Sequence, residues 1–186
     1  AFFIPYISSI VAVGTVFKFL FREDGIINNI LLNLHILSQP IKWAMDPRFS
    51  KVPIILLSVW ASIGYQLILF TAAMQNVPVS LYEAAKLDGA GSFRQFWSIT
   101  LPMISPTIFY LLITRTMAVF KIFGSVNVFT MGTAINSNRS VVLEIYTTAF
   151  SKYEFGPASA MSMVLFAIIM VVTGINFVGQ KKWVHY

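Results

Sequence analysis

The side chains that could recognise a small polar ligand form a short stripe inside an otherwise apolar segment. Ser62, Tyr65 and Gln66 stand at i, i+3 and i+4, the spacing that places side chains on one face of a helix. Hydroxyl and amide groups beside an aromatic ring suit sugars, because sugar hydroxyls need hydrogen-bond partners and the ring packs against an aromatic face. The same stripe could instead join neighbouring helices, as polar side chains do in membranes. The sequence leaves both interpretations open.

Two cations lie in a later apolar segment. Arg115 and Lys121 are predicted to sit within a membrane span, where a charge costs roughly 2.5–3.5 kcal/mol on insertion scales. They should therefore face a cavity, a partner or the membrane interface. In one interpretation Arg115 pairs with another span or another protein, and Lys121 extends to the interface. In the other they contact substrate hydroxyls or an anionic group, and Asn127 is a further candidate for the substrate path.

Catalytic and metal chemistry is not predicted. An intramembrane hydrolase needs a nucleophile and base, or paired acids, at membrane depth, yet none of the seven acidic residues lies inside an apolar segment. His35 and His185 lie in polar connections without a Glu or Cys at ligand spacing, and the chain has no cysteine. No G-x-x-x-x-G-K-[ST] loop occurs, so ATP hydrolysis would need another chain. We predict no catalytic residue, no metal and no cofactor bound by this chain.

The composition indicates a membrane protein. Of the 186 residues, 57% are hydrophobic and only 11% are charged, whereas about a quarter are charged in soluble domains. The formal charge of +6 suits anionic lipid surfaces better than nucleic acid, because no basic cluster stands outside an apolar context. We predict contact with a lipid bilayer and none with nucleic acid.

Four apolar segments are long enough to cross a bilayer, which takes about 20 helical residues. Lipid offers no hydrogen-bond partners to the backbone, and no alternating pattern supports a barrel, so these segments should be helices. The predicted fold is all-α, a polytopic transmembrane helix bundle in a single domain over residues 1–186. The predicted spans are 2–21, 53–75, 103–123 and 157–178.

A stretch of polar and small residues, 80–102, separates the second span from the third. Ser80 and Glu83 match a capping box, which predicts a helix from Leu81 to Leu87. Gly89 and Gly91 are predicted to end this helix in the left-handed conformation that glycine tolerates best.

The second half of the same stretch predicts another short helix. Ser92 is expected to cap it. One stripe of this helix would face either lipid or the protein core; it consists of Phe93, Phe96, Trp97 and Thr100.

The stretch also carries the fixed pattern E-A-A-x3-G-x9-I-x-L-P. Its seven positions are Glu83, Ala84, Ala85, Gly89, Ile99, Leu101 and Pro102. At residue frequencies of about 0.05–0.1, seven such matches arise by chance about once in 10^8 start points. The pattern closely resembles the signature loop of ATP-binding-cassette importer permeases, with the best fit to the carbohydrate-uptake branch.

Weaker markers extend the resemblance along the chain. Residues 5–8, 25–28 and 158–162 resemble the sugar permease subunit that pairs with a second permease. Two departures stand out. Members often carry a threonine followed by glycines and a proline where this chain reads Thr130 to Asn136. Six spans form the family core, whereas four are visible, so the first two are expected to precede this sequence.

The resemblance implies a permease subunit of an ATP-driven importer, for a sugar or oligosaccharide. Its loop 80–102 would dock into a cleft of an ATPase subunit, with Glu83 meeting a basic residue while Ala84, Ala85 and Gly89 allow close packing. The implied partners are a second permease, two ATPase subunits that bind ATP and Mg²⁺, and an extracytoplasmic solute-binding protein. The alternatives, a membrane-embedded enzyme or a channel, lack a catalytic set and a selectivity filter.

Counts of Lys and Arg do not orient the chain, because they lean against the side that the motif favours. The resemblance implies that loop 80–102 and the C-terminus are cytoplasmic. The connections 22–52 and 124–156 would then face outward, in the cytoplasmic membrane of a bacterium or archaeon.

Overall fold

The computed structural model describes residues 3–130, 135–181 and 183–184, and every regular element in these ranges is a helix. This confirms the all-α prediction. The helices are α1 (Ile4–Ile7), α2 (Ile10–Leu20), α3 (Ile26–Asn33), α4 (Val52–Gln75), α5 (Val79–Leu87), α6 (Ser92–Gln95), α7 (Leu101–Met103), α8 (Ser105–Phe120), α9 (Gly124–Thr130), α10 (Val141–Tyr146) and α11 (Phe155–Gln180), with π-helices at Phe96–Thr100 and Thr147–Ser151. The chain divides into two compact units, Ala1–Gly64 with Phe120–Leu165, and Tyr65–Val119 with Phe166–Tyr186.

Three helical segments in the described residues are long and apolar enough to cross a membrane. They are Val52–Gln75, Ser105–Thr130 and Phe155–Gln180. They overlap the predicted spans 53–75, 103–123 and 157–178, and the latter two extend further toward the C-terminus than the apolar runs indicated.

The predicted first span, 2–21, differs from the prediction because it is divided. Ser8 and Ser9 have extended ψ angles of 145° and 124°, so the helix breaks between α1 and α2. The Ile4 carbonyl oxygen accepts from both the hydroxyl and the amide of Ser8, at 2.8 and 3.1 Å, at the end of α1. The remaining helix, α2, has 11 residues and is too short to cross a bilayer alone.

The core of the first unit is aromatic and aliphatic. It consists of Phe21, Trp43, Ile54, Val126, Phe129 and Leu143. The rings of Phe21 and Trp43 pack edge to face, with their centroids 5.2 Å apart. Helices α2 and α9 approach closely at Gly14, where an added Cβ would lie 2.7 Å from Cγ1 of Val128. A small residue at this position therefore sets the distance between the two helices.

The connection after α2 folds around the side chain of Asn28, which is 0% exposed. Its Nδ2 donates to the carbonyl oxygens of Arg22, Glu23 and Ile41 at 3.3, 3.0 and 2.9 Å. Its Oδ1 accepts from the Ile41 amide at 3.2 Å and from Nε1 of Trp43 at 3.0 Å. One buried amide thus ties three parts of the connection together.

Gly25 is required by the same turn. A Cβ at this position would lie 2.4 Å from the Leu20 carbonyl oxygen and 2.9 Å from the Arg22 backbone. The structure therefore explains the sequence marker at residues 25–28, because its first residue, Gly25, fits a crowded turn and its last, Asn28, bonds the connection together.

The second long connection is fixed by a cap and an ion network. The Ser140 hydroxyl accepts from the Leu143 amide at 3.2 Å and begins α10. Glu144 meets Arg139 at 2.8 Å and Lys152 at 3.4 Å. Burial raises the pKa of Glu144, but the hydrogen bond and charge of Arg139, with the charge of Lys152, outweigh it and leave this pKa below its ordinary value. Residues 131–134 of the unusual sequence between Thr130 and Asn136, and His185, lie outside the described residues.

Candidate functional site

The helix at the start of the signature stretch is α5, and it does not begin as predicted. It starts at Val79 with Pro78 as its N-cap residue, and no side chain caps it. Ser80 therefore stands inside the first turn, and the predicted capping box of Ser80 and Glu83 is wrong. The reason is that proline fixes φ near the helical value, and its carbonyl already accepts from the Leu81 amide at 3.2 Å.

The end of α5 is a complete Schellman motif. The Ala90 amide donates to the Ala85 carbonyl at 2.8 Å, and the Gly89 amide donates to the Lys86 carbonyl at 3.0 Å. Gly89 has φ of +74°, which confirms the left-handed prediction there. The same prediction for Gly91 is wrong, because its φ is −69° and its backbone is extended.

The second half of the stretch begins at Gly91, which is the N-cap residue of α6. Ser92 is already helical, so its predicted capping role is wrong. The helix continues through the π-helix Phe96–Thr100 into α7. Thr100 is buried, and its hydroxyl lies 2.8 Å from that of Tyr82 in α5. This contact fixes the two halves of the stretch against each other.

The motif residues divide between a shared cavity and an exposed surface. Ala85 and Ile99 line one cavity of about 230 Å³ together with Asp88, Ala90, Arg94, Gln95 and Ser98. Glu83, Ala84 and Gly89 are exposed, while Leu101 and Pro102 are half-buried where α7 begins. The pattern therefore joins residues that shape the loop to residues that a partner could reach.

Within the second unit, Tyr65 and Arg115 meet as two of the predicted path residues. The guanidinium carbon of Arg115 lies 5.8 Å from the centroid of the Tyr65 ring, a cation–π distance. The hydroxyl of Tyr65 lies 3.3 Å from that of Tyr110, a residue that the sequence reasoning missed. In the sequence, the only indication of a role for Tyr110 is that its phenolic hydroxyl lies in the same apolar segment as Arg115. Hydroxyl groups, an aromatic face and a cation are thus grouped in one place.

The other predicted path residues occupy separate positions. Gln66 is half-buried on α4, beside Tyr65 in sequence, and Ser62 donates to the Val59 carbonyl of the same helix at 3.1 Å. Lys121 is exposed directly after the end of α8, and Asn127 is half-buried in α9. Among the described residues, no group of three or more His, Cys, Asp or Glu side chains could hold a metal ion.

The chain matches the family described as "Binding-protein-dependent transport system inner membrane component" over residues 2–183. Because this match covers nearly the whole chain, the protein belongs to that family, and the resemblance drawn from loop 80–102 is confirmed.

The relatives are named as transport permeases rather than enzymes. The lactose transport system permease protein LacF of Rhizobium radiobacter is 38% identical over 97% of this chain and 61% of its own length. The sn-glycerol-3-phosphate transport system permease protein UgpA of Agrobacterium fabrum is 31% identical over 98% of this chain and 62% of its own length. The chain thus spans about three fifths of the length of these relatives.

Solved structures show the same fold. A bacterial ABC transporter involved in the import of the acidic polysaccharide alginate superposes with a TM-score of 0.87, covering 97% of this chain and 63% of that one at 22% identity. The alginate transporter in complex with an alginate pentasaccharide-bound periplasmic protein gives a TM-score of 0.85 at 24% identity. At this identity the likeness is one of fold alone.

Proposed function

We propose that the chain forms part of the translocation path of an ATP-driven importer for a sugar or oligosaccharide, and that loop 80–102 couples this path to an ATPase. The observation that carries the proposal is the rigid presentation of the signature motif. Helix α5 ends in a full Schellman turn and is tied to the following helix through Tyr82 and Thr100. A rigid helix transmits rigid-body motion from a partner better than a flexible loop does.

Glu83 suits the role of a polar contact with the ATPase. Its side chain is exposed, and in the described part of the chain it forms neither a cap nor an ion pair. Beside it, Ala84 is exposed and small, so a partner backbone could approach closely. A basic residue of the ATPase would meet the carboxylate at this surface.

The proposed assembly follows from the family. It contains a second permease subunit, two ATPase subunits that bind ATP and Mg²⁺, and an extracytoplasmic solute-binding protein. We place loop 80–102 and the C-terminus in the cytoplasm, and connections 22–52 and 124–156 outside. The names of the relatives support a sugar or a related polyol as substrate, since they include lactose and sn-glycerol-3-phosphate.

The cluster of Tyr65, Tyr110 and Arg115 is the proposed substrate contact in this chain. Two hydroxyl groups and an aromatic face suit a sugar, and the guanidinium adds donors for hydroxyl or anionic groups. Ser62, Gln66, Lys121 and Asn127 remain candidates for the rest of the path.

The coupling proposal is tested by uptake in proteoliposomes that hold the complete transporter. The double variant Glu83→Ala, Gly89→Pro should insert normally and lose ATP-dependent uptake. The double variant Glu154→Ala, Gly156→Ala is the control, because it removes the same residue types from exposed positions at the start of α11, where no atom crowds Gly156. Full uptake by the first variant would refute the coupling role.

The substrate proposal is tested with neutral and anionic sugars side by side. Arg115→Ala should weaken transport of an anionic substrate more than of a neutral one, whereas Tyr110→Phe removes one hydroxyl and should affect both. Unaltered affinity and selectivity in both variants would exclude this cluster from the path.

A further inference from the structure

Three aromatic side chains of loop 80–102 form an exposed aromatic patch, defined here as Phe93, Phe96 and Trp97. They are 79%, 44% and 54% exposed. Their rings contact one another, with centroids 6.1 Å apart between Phe93 and Trp97 and 5.7 Å apart between Phe96 and Trp97. Burial of this much aromatic surface is strongly favoured over contact with water.

The patch and the contacts with α5 use different residues of the second half of the loop. The cavity shared with α5 is lined by Arg94, Gln95, Ser98 and Ile99, and Thr100 bonds to Tyr82 of α5. Phe93, Phe96 and Trp97 do not line this cavity, and all three are exposed. The surface proposed to dock onto the ATPase and the aromatic patch are therefore separate, and both can be occupied at once.

We propose that the aromatic patch inserts into the headgroup region of the bilayer and holds the loop at the membrane surface. This inference rests on the proposed function in that α5 is taken to face the ATPase. The patch lies close in sequence to a segment long and apolar enough to cross a membrane: Trp97 precedes Ser105, the start of Ser105–Thr130, by eight residues. Tryptophan and other amphipathic rings favour this depth of the bilayer.

The patch itself is purely aromatic. Its charged neighbour Arg94 lines the cavity shared with α5, so the exposed surface of the patch consists of rings. Such rings suit the interface between headgroups and acyl chains. The ring contacts and the bond between Thr100 and Tyr82 would then make the patch a fixed support from which α5 is held toward the ATPase.

The test uses nitroxide labels on the full-length permease with its partner permease in nanodiscs containing anionic phospholipid, with and without the ATPase subunits. A label at Phe93→Cys reports on the patch. A label at Leu87→Cys is the matched control, because Leu87 is 90% exposed and lies at the end of α5. Collisions with oxygen report lipid contact, and collisions with a water-soluble nickel chelate report water.

We expect the label at position 93 to be reached by oxygen more than by the nickel chelate, whether or not the ATPase is present. The label at 87 should be reached by the nickel chelate and should become shielded when the ATPase binds. Trp97→Cys repeats the measurement if Phe93→Cys does not assemble.

Two results would overturn the inference. If the label at 93 is water-accessible and becomes shielded by the ATPase, the patch belongs to the ATPase interface. If it is shielded from both probes without the ATPase, it packs on the second permease. Failure of the ATPase to shield position 87 would count against the proposed function instead, so the two failures are distinguishable.

Discussion

Replacing Asn28 tests whether one buried amide holds the connection between α2 and α4. The side chain makes five hydrogen bonds, but its two Nδ2 hydrogens are shared among three carbonyls, so about four net bonds are lost in Asn28→Ala at about 1 kcal/mol each. A loss of about 4 kcal/mol corresponds to nearly a thousandfold rise in the open population of this connection. Hydrogen exchange at the Ile41 amide, which donates to Asn28, should rise by that order.

Asn29→Ala is the matched control for this experiment. The Asn29 side chain is exposed and makes a single long bond of 3.4 Å to the Asp24 carbonyl, so its loss should leave exchange at Ile41 unchanged. Emission from Trp43, whose Nε1 donates to Asn28, gives a second local reading and should shift to longer wavelength in Asn28→Ala only. Equal effects of the two variants, or unchanged exchange in Asn28→Ala, would refute the reasoning.

Asn28→Asp separates the donor role from the acceptor role. The new side chain keeps an acceptor for Trp43 and Ile41 but places an oxygen against the three carbonyls that Nδ2 now serves. This site favours the protonated carboxyl, so the variant should be less destabilised at acid than at neutral pH. Destabilisation that does not change with pH would contradict the assigned role of Nδ2.

The remaining predictions concern the loop, the helix contact and the ion network. Gly89→Ala should destabilise the Schellman turn by roughly 1–2 kcal/mol, because Gly89 has a positive φ. Gly91→Ala should leave the turn unchanged, because Gly91 has a negative φ and no atom crowds it. ATP-dependent uptake should therefore fall in the first variant and not in the second. Gly14→Ala should lower thermal stability by about 1–3 kcal/mol, and adding Val128→Ala should recover most of the loss, since Val128 is the side chain that the new Cβ would meet. Because the pKa of Glu144 is lowered in the folded state, its stabilising contribution is present above the ordinary value of 4.5 and is lost as pH falls through the folded pKa; acid melting curves of Glu144→Gln should lack this loss.

The three segments long and apolar enough to cross a membrane were predictable because each is a long run dominated by apolar residues, even where Arg115 and Lys121 interrupt one of them. The break at Ser8 and Ser9 was not, since it is a change of backbone angles within a continuous apolar run and no change in hydrophobicity marks it. The capping box failed for a similar reason: the pattern of Ser80 and Glu83 is correct in spacing, but Pro78 allows the helix to begin earlier.

Only part of the candidate site could be predicted from local sequence patterns. Tyr65 and Arg115 were recognised because polar groups in apolar helices are costly. Tyr110 completes the cluster through a contact across 45 residues, which no local pattern reports. Likewise, the sequence leaves the stripe of Phe93 and Trp97 open between lipid and core, and the exposure of these rings excludes the core of this chain.

The amount of ATPase that purifies with the permease tests the central claim most directly. The account predicts that Glu83→Ala, Gly89→Pro recovers far less ATPase per permease than the unmodified protein, while the control Glu154→Ala, Gly156→Ala recovers the same amount. Undiminished recovery with the first variant, in correctly inserted protein, would contradict the assignment of loop 80–102 as the coupling element.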